Sequence, residues 1–249
     1  MTDLLALHGV TKRFGGVVAT HDISMQVPHG GIVGMIGPNG SGKTTLFNAI
    51  VGYHPVDQGS IMFDGRDISR LCVPEIARLG LARTFQQTRV FGNMSCLRNL
   101  LVSVPHAREG LAAMCTRQAP EVSARARQML RFVGLHDHQA QLAAELSFGQ
   151  RKLLELSMAL MSEPRLLLLD EPTAGVNPVM IESLIALLRE INARLGVTLL
   201  VIEHNMRVIS QLADYVYCLA HGELLAQGTP PQILGNREVI DAYLGGAQP

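Results

Sequence analysis

Residues 37–44 of the chain spell Gly-Pro-Asn-Gly-Ser-Gly-Lys-Thr, the G-x-x-x-x-G-K-T spacing of a Walker A loop. Gly37, Gly40 and Gly42, with Pro38, Asn39 and Ser41 between them, let successive backbone N–H groups curl around phosphate oxygens that side chains would otherwise block. Lys43 supplies a positive charge of the right reach for β- and γ-phosphates, and the Thr44 hydroxyl suits Mg²⁺. Thr45 completes the set of expected ATP-binding residues on this loop. The plain alternative is a glycine turn that happens to match. Context argues against it: GIVGMIG before the loop is a buried-strand pattern, and TTLFNAIVG after it carries Leu46, Ile50 and Val51 at helical spacing. Such a helix aims its N-terminal dipole at the same anion. Lys43 is also one of only three lysines, with Lys12 and Lys152, against eighteen arginines.

Two further motifs fit this chemistry. RLLLLDEP, residues 165–172, has four apolar positions ending in an acidic pair. As a strand it would present Asp170 to the Mg²⁺ shell, in the manner of a Walker B element, and Glu171 to an attacking water. A generic buried strand with an acidic turn explains this stretch equally well when it stands alone. Paired with the loop at 37–44, it does not. Glu145-Leu146-Ser147-Phe148-Gly149-Gln150 opens the helical stretch RKLLELSMAL. Locally Ser147 is a helix N-cap, and a cap followed by glycine makes a second phosphate-binding helix terminus.

LSFGQ shortly before such a strand resembles the signature of the ATP-binding cassette (ABC) ATPases, and the resemblance runs from about Leu4 to Leu244. It implies an α/β fold: a P-loop NTPase (RecA-like) core, a small antiparallel β subdomain and an ABC helical subdomain. It also implies that Leu146, Ser147, Phe148, Gly149 and Gln150 act on the ATP held by a partner subunit. Phe14, in TKRFGG, matches the aromatic that stacks on adenine, where the plain alternative is a core Phe. Gln86, in RTFQQ, matches the glutamine joining Mg²⁺ and the water to the transporter partner. With Thr44 and Asp170 it forms the expected metal set, acting partly through water. His204, after VTLLVIE, matches the histidine that contacts the γ-phosphate, and with Glu171 and Gln86 it makes the expected catalytic group. Two departures stand out. The D-loop, usually S-A-L-D, is Ala174-Gly175-Val176-Asn177, which keeps a hydrogen-bonding side chain and drops the charge. Met158 stands where many relatives have Arg.

The A-G-V-N-P form of the D-loop, RTFQ, VIEHNM and the terminal GTPPQIL and VIDAYLGG resemble the larger ATPase of branched-chain amino-acid importers. The implied cofactors are ATP and Mg²⁺. The implied partners are a second ABC ATPase subunit (a paralogue or a second copy), two transmembrane permease subunits and, indirectly, a periplasmic substrate-binding protein. The implied location is the cytoplasmic face of the inner membrane, peripheral through the permeases. Urea or amide importers and the lipopolysaccharide exporter share these features. An iron–sulfur assembly ATPase shares the architecture but not these motifs. DNA-repair ATPases need a long heptad insertion, and translation factors need two cassettes; the chain has neither. A P-loop kinase would leave LSFGQ and His204 unexplained.

These residues need elements to position them. The 249 residues suffice for one large domain or a domain with a subdomain. With 21 basic and 21 acidic residues, the balance argues against a nucleic-acid binder. No apolar run approaches the ~18 residues of a membrane span, and the start, MTDLLALHGVTKRF, does not resemble a secretory signal. LLALHGV, DISMQV and SIMFDG are strand-length; MSCLRNLLVSV, EVSARARQMLRFVGL and FGQRKLLELSMALM carry helical stripes. RLLLLD, PVMIESLIALLREIN and GVTLLVIEH follow in a βαβ rhythm that predicts a parallel sheet. The expected partition of residues 1–249 is an ATPase core with β subdomain at 1–88 and 160–221, a helical subdomain at 89–159, and a C-terminal turn, helix and tail at 222–249. The four cysteines lack metal-ligand spacing and suit reduced, buried thiols. From Arg83 to Arg131, eight arginines face two acids, a net of +6. That segment is expected to meet the membrane partner or anionic headgroups, unless it is a set of solvated helix faces.

Overall fold

The computed structural model describes residues 3–84, 90–104 and 120–244. In chain order the strands and helices are β1 Asp3–Phe14, β2 Val17–Pro28, β3 Ile32–Ile36, α1 Lys43–Ile50, β4 Gln58–Phe63, β5 Arg66–Asp67, α2 Val73–Arg78 and β6 Leu81–Arg83. After them come α3 Cys96–Val102, α4 Pro120–Phe132, α5 Phe148–Leu160, β7 Leu166–Asp170, α6 Pro178–Leu195 and β8 Thr198–Ile202. The described residues end with α7 Met206–Leu212, β9 Tyr215–Ala220, β10 Glu223–Gly228, α8 Pro230–Leu234 and α9 Arg237–Leu244.

β1 and β2 form a long antiparallel hairpin that continues through β4 and β5 in the order β2-β1-β4-β5. The second sheet has the order β10-β9-β3-β8-β7-β6 and is parallel except for β10, which runs antiparallel along β9. Its central strands are apolar on both faces because both faces are covered. The period of two is plain: Leu166 and Leu168 join the core shared with β1, β4 and α1, whereas Leu167 and Leu169 join the core beneath α3, α4, α5 and α6. Leu200 and Ile202 against Leu199 and Val201 repeat the division on β8. The register sets Asp170 opposite Ile202 and Met35 opposite Ile202, so β3, β7 and β8 end together at one edge of the sheet. In parallel α/β sheets that edge is where ligands bind.

Several elements differ from the expectation. Residues 222–249 were expected to hold a turn, a helix and a tail. They contain β10 and two helices, with Gly235 closing α8 before α9 begins. β6, β9, α2 and α7 were not foreseen: they are short, or lie between the strong patterns. Cys96 and Cys218 are buried as expected, but Cys72 is exposed, serving as the N-cap of α2; Cys115 lies outside the described residues.

Candidate functional site

The phosphate loop joins β3 to α1. Gly37 adopts φ +149°, and a Cβ there would lie 2.1 Å from the Leu219 carbonyl oxygen of β9. Gly42, the N-cap of α1, has φ +99°, and a Cβ would lie 2.5 Å from the Ala19 carbonyl oxygen. Both positions therefore require glycine. At Gly40, by contrast, φ is +80° and nothing lies within 4 Å of an added Cβ, so this arc of the loop is open. Lys43 is 5% exposed and donates to the carbonyls of Gly37 and Pro38, each at 2.8 Å, and to Ser41 Oγ at 3.2 Å. Burial lowers its pKa from the ordinary lysine value, with Glu171, Cys218 and Asp170 pulling the other way. Its two neighbours on α1, Thr44 and Thr45, are exposed and half-buried.

Asp170 ends β7 and is buried. Its Oδ2 accepts from Arg83 at 2.7 Å, while the same guanidinium donates to Asn48 Oδ1 of α1 at 2.6 Å and sits over the Phe47 ring. Arg83 was counted in sequence as part of a basic surface segment. The structure buries it instead, because β6 pairs with β7 with Arg83 opposite Leu168, two residues short of Asp170. Glu171 follows with φ +48°, an uncommon conformation for a residue with a side chain, and its Oε1 lies 2.5 Å from His204 Nε2. The two residues expected to act on water and γ-phosphate are thus in contact.

One buried residue that sequence reasoning missed holds both segments. Glu203 is 3% exposed; its Oε1 accepts from the Thr173 N–H at 2.9 Å and the Thr173 hydroxyl at 2.5 Å. Its Oε2 accepts from the N–H groups of His204 at 3.2 Å and Asn205 at 3.5 Å. A single carboxylate therefore ties the turn after Glu171 to the turn carrying His204. The only sequence signal was an acid at the end of an apolar strand.

The signature motif lies at the start of α5. Ser147 and Gln150 form a reciprocal capping box: Gln150 N–H donates to Ser147 Oγ at 3.3 Å and Ser147 N–H to Gln150 Oε1 at 2.9 Å. Leu146 is buried, Phe148 is 41% exposed, and Lys152 lies over the Phe148 ring. The D-loop packs on this motif. Gly175 has φ +72°, and a Cβ would meet the Phe148 ring at 3.2 Å; one on Gly149 would meet Met180 of α6. Ala174 donates to the Glu171 carbonyl and Val176 to that of Thr173, while Asn177 caps α6 by accepting from the Val179 N–H at 3.0 Å. Asn in place of the usual Asp therefore keeps the cap. Phe14 ends β1 at 44% exposure, edge-on to His54 and beside Lys12, rather than in the core. All three lysines are buried, at Phe14, in the phosphate loop and at Phe148. Met158, half-buried on α5, packs against the core beneath the helices. Gln86 lies outside the described residues.

A glycine loop between a parallel strand and a helix, with acidic and imidazole groups at the neighbouring strand tips, defines a P-loop nucleotide-binding ATPase. The LSFGQ helix and the D-loop against it narrow that class to an ATP-binding cassette. A family model described as ABC transporter matches residues 20–174, and one described as branched-chain amino acid ATP-binding cassette transporter matches residues 223–248. The chain belongs to the ABC transporter family of ATP-binding cassettes. It is 39% identical to the high-affinity branched-chain amino acid transport ATP-binding protein BraF of Pseudomonas aeruginosa, and 38% to LivG of Salmonella typhimurium, with 98% of each chain covered in both cases. Among solved structures, the ADP conformation of an ATP-binding cassette of an ABC transporter matches with a TM-score of 0.88 at 31% identity, over 98% of this chain and 100% of the other. Among the described residues, no helix is long and apolar enough to cross a membrane.

Proposed function

We propose that this chain binds and hydrolyses ATP to drive an importer of branched-chain or other hydrophobic amino acids. The observation that carries this reading is the convergence of the 37–44 loop, Asp170, Glu171 and His204 at one sheet edge, in a chain with 39% identity to BraF. The site suits a nucleotide: the loop has an open arc at Gly40 and a buried ammonium within it. It also suits Mg²⁺, because the candidate ligands, the Thr44 hydroxyl and the Asp170 carboxylate, are hard oxygen donors, joined in the proposal by Gln86. When bound, Mg²⁺ neutralises charge on the phosphate oxygens.

In this reading amides within residues 39–45 hold the phosphates, and Phe14 stacks on the adenine. Lys43 turns from the loop carbonyls toward the β- and γ-phosphates. His204 turns to the γ-phosphate, which frees Glu171 to take a proton from the attacking water. Ser147 and Gly149 of one subunit close over the ATP held by the other, so hydrolysis removes a bridge between them and the dimer reopens. Phe148 against Gly175 links the signature of each subunit to its own D-loop.

The partition that accompanies this reading is the expected one, amended at its end. Residues 1–88 and 160–221 form the ATPase core with its β subdomain, 89–159 form the helical subdomain, and residues from 222 onward return to the core as β10, α8 and α9. The partners are a second ATPase subunit, two permeases and, through them, a periplasmic binding protein. The chain then sits at the cytoplasmic face of the membrane. Affinity purification of the tagged chain from gently solubilised membranes tests this: two hydrophobic permease subunits should co-purify. Recovery of a soluble assembly complex without permeases contradicts the transport reading.

A further inference from the structure

Three contacts converge on Gly37, the first residue of the phosphate loop. The Leu219 carbonyl of β9 occupies the space a side chain would need. The Gly37 carbonyl accepts from Lys43 at 2.8 Å. Its N–H donates to the hydroxyl oxygen of Tyr243 at 2.7 Å, from a residue 206 positions further along the chain.

Tyr243 lies near the end of α9, and the helix is held there by a small core of its own. Val239 and Ile233 are 2% exposed and cluster with Ile36, Ile209, Val216 and Cys218, and Tyr243 packs against this group. Ile36 is the residue immediately before Gly37, so the same cluster anchors the end of β3 and the helix that reaches over it. Burial pushes the Tyr243 hydroxyl up to about 12, so it is a neutral hydroxyl throughout the physiological range. Gly37 is buried, so removing this acceptor leaves its N–H without a partner and frees the Ile36–Gly37 peptide at the entry to the phosphate loop.

We infer that Tyr243 is a positioning residue of the nucleotide site, and that the C-terminal helix sets the geometry of the phosphate loop. The inference rests on the nucleotide-binding reading above. It gives the segment matched by the second family model a task at the ATP site: the hydroxyl fixes the Gly37 N–H, at the point where β3 opens into the phosphate loop.

The test is a calorimetric titration of the full chain with MgADP, which reads loop affinity without hydrolysis or dimer closure. Tyr243→Phe keeps the ring and its packing and removes only the hydroxyl. It should weaken MgADP binding about 5- to 150-fold, the range expected for one buried donor left unsatisfied. KM for ATP should rise in parallel, with kcat at saturation unchanged. Ile240→Ala, on the exposed side of the same helix at 42% exposure, should bind as the parent does. A folded Tyr243→Phe protein that binds MgADP within about twofold of the parent, whatever its melting temperature, overturns the inference and makes Tyr243 a packing residue. A parent chain that does not bind MgADP instead overturns the nucleotide-binding reading itself.

Discussion

Replacing Glu203 with Gln keeps the shape of the side chain and changes one acceptor oxygen into a donor. The carboxylate receives four hydrogen bonds, two on each oxygen, at 3% exposure. Whichever way the amide is turned, its NH₂ faces N–H groups: that of Thr173, whose hydroxyl can turn to accept, or those of His204 and Asn205. The better orientation keeps Thr173, whose bonds are shorter, and leaves the His204 turn unsupported. Asn205 is exposed and its N–H can turn to water, so one donor is left unsatisfied, which lowers stability by about 1–3 kcal/mol. A domain of ordinary stability survives that. If about 2 kcal/mol of it falls on the Glu171–His204 geometry, kcat drops roughly 30-fold, since each 1.36 kcal/mol is tenfold. A coupled ATPase assay at saturating MgATP, run beside thermal melts, gives both quantities. Repeating it in a His204→Ala background shows whether Glu203 acts through His204: there, Glu203→Gln should cost less than about twofold. A folded Glu203→Gln enzyme with parental kcat, or fully additive losses in the double variant, would refute the positioning role.

Other outcomes follow from the same geometry. Arg83→Gln removes the partner of a buried carboxylate and should cost about 3–5 kcal/mol in urea unfolding. Ser147→Ala should lose about 0.5–2 kcal/mol from the α5 cap and, beyond that, abolish ATP-dependent association measured by light scattering. Burial raises the Cys218 thiol from an ordinary 9.0 to about 11, so the folded state keeps the proton where the unfolded chain releases it. This contribution to stability is complete below pH 9.0 and is lost as pH rises toward about 11. Cys218→Ala should flatten the decline of unfolding free energy in that window, measured by denaturant titration at several pH values.

The parts of the site legible in sequence are those whose chemistry is contiguous. The loop at 37–44 carries its own glycines, lysine and hydroxyl, and Ser147 with Gln150 caps a helix three residues away from itself. The strand end at Asp170 was legible from the apolar run before it, because a strand buried on both faces has a visible end. The residues that hold these groups in place are legible only through strand register. Arg83 reaches Asp170 because β6 lies beside β7, Glu203 reaches Thr173 because β8 lies beside β7, and Tyr243 reaches Gly37 from the far end of the chain. For the same reason a charge count between Arg83 and Arg131 does not show which arginines are already paired, and Arg89, Arg108 and Arg117 lie outside the described residues. Arg83 is consumed by Asp170, and Arg125 pairs with Glu163 and the Leu160 carbonyl, whereas Arg98, Arg127 and Arg131 are exposed. β9 and β10 were missed because YVYCLA and ELLAQG are short and carry no motif, although β9 supplies the carbonyl that makes Gly37 obligatory.

The central claim is that two copies of this site, or one copy and a paralogue, close on ATP and open on hydrolysis driven by Glu171. Glu171→Gln keeps the hydrogen bond to His204 and removes the base. Size-exclusion chromatography with light scattering, with and without MgATP, alone and with the paralogous subunit, tests the claim directly. The account predicts a nucleotide-dependent dimer that persists because turnover has stopped. A Glu171→Gln protein that hydrolyses ATP at the parental rate and stays monomeric in MgATP contradicts it.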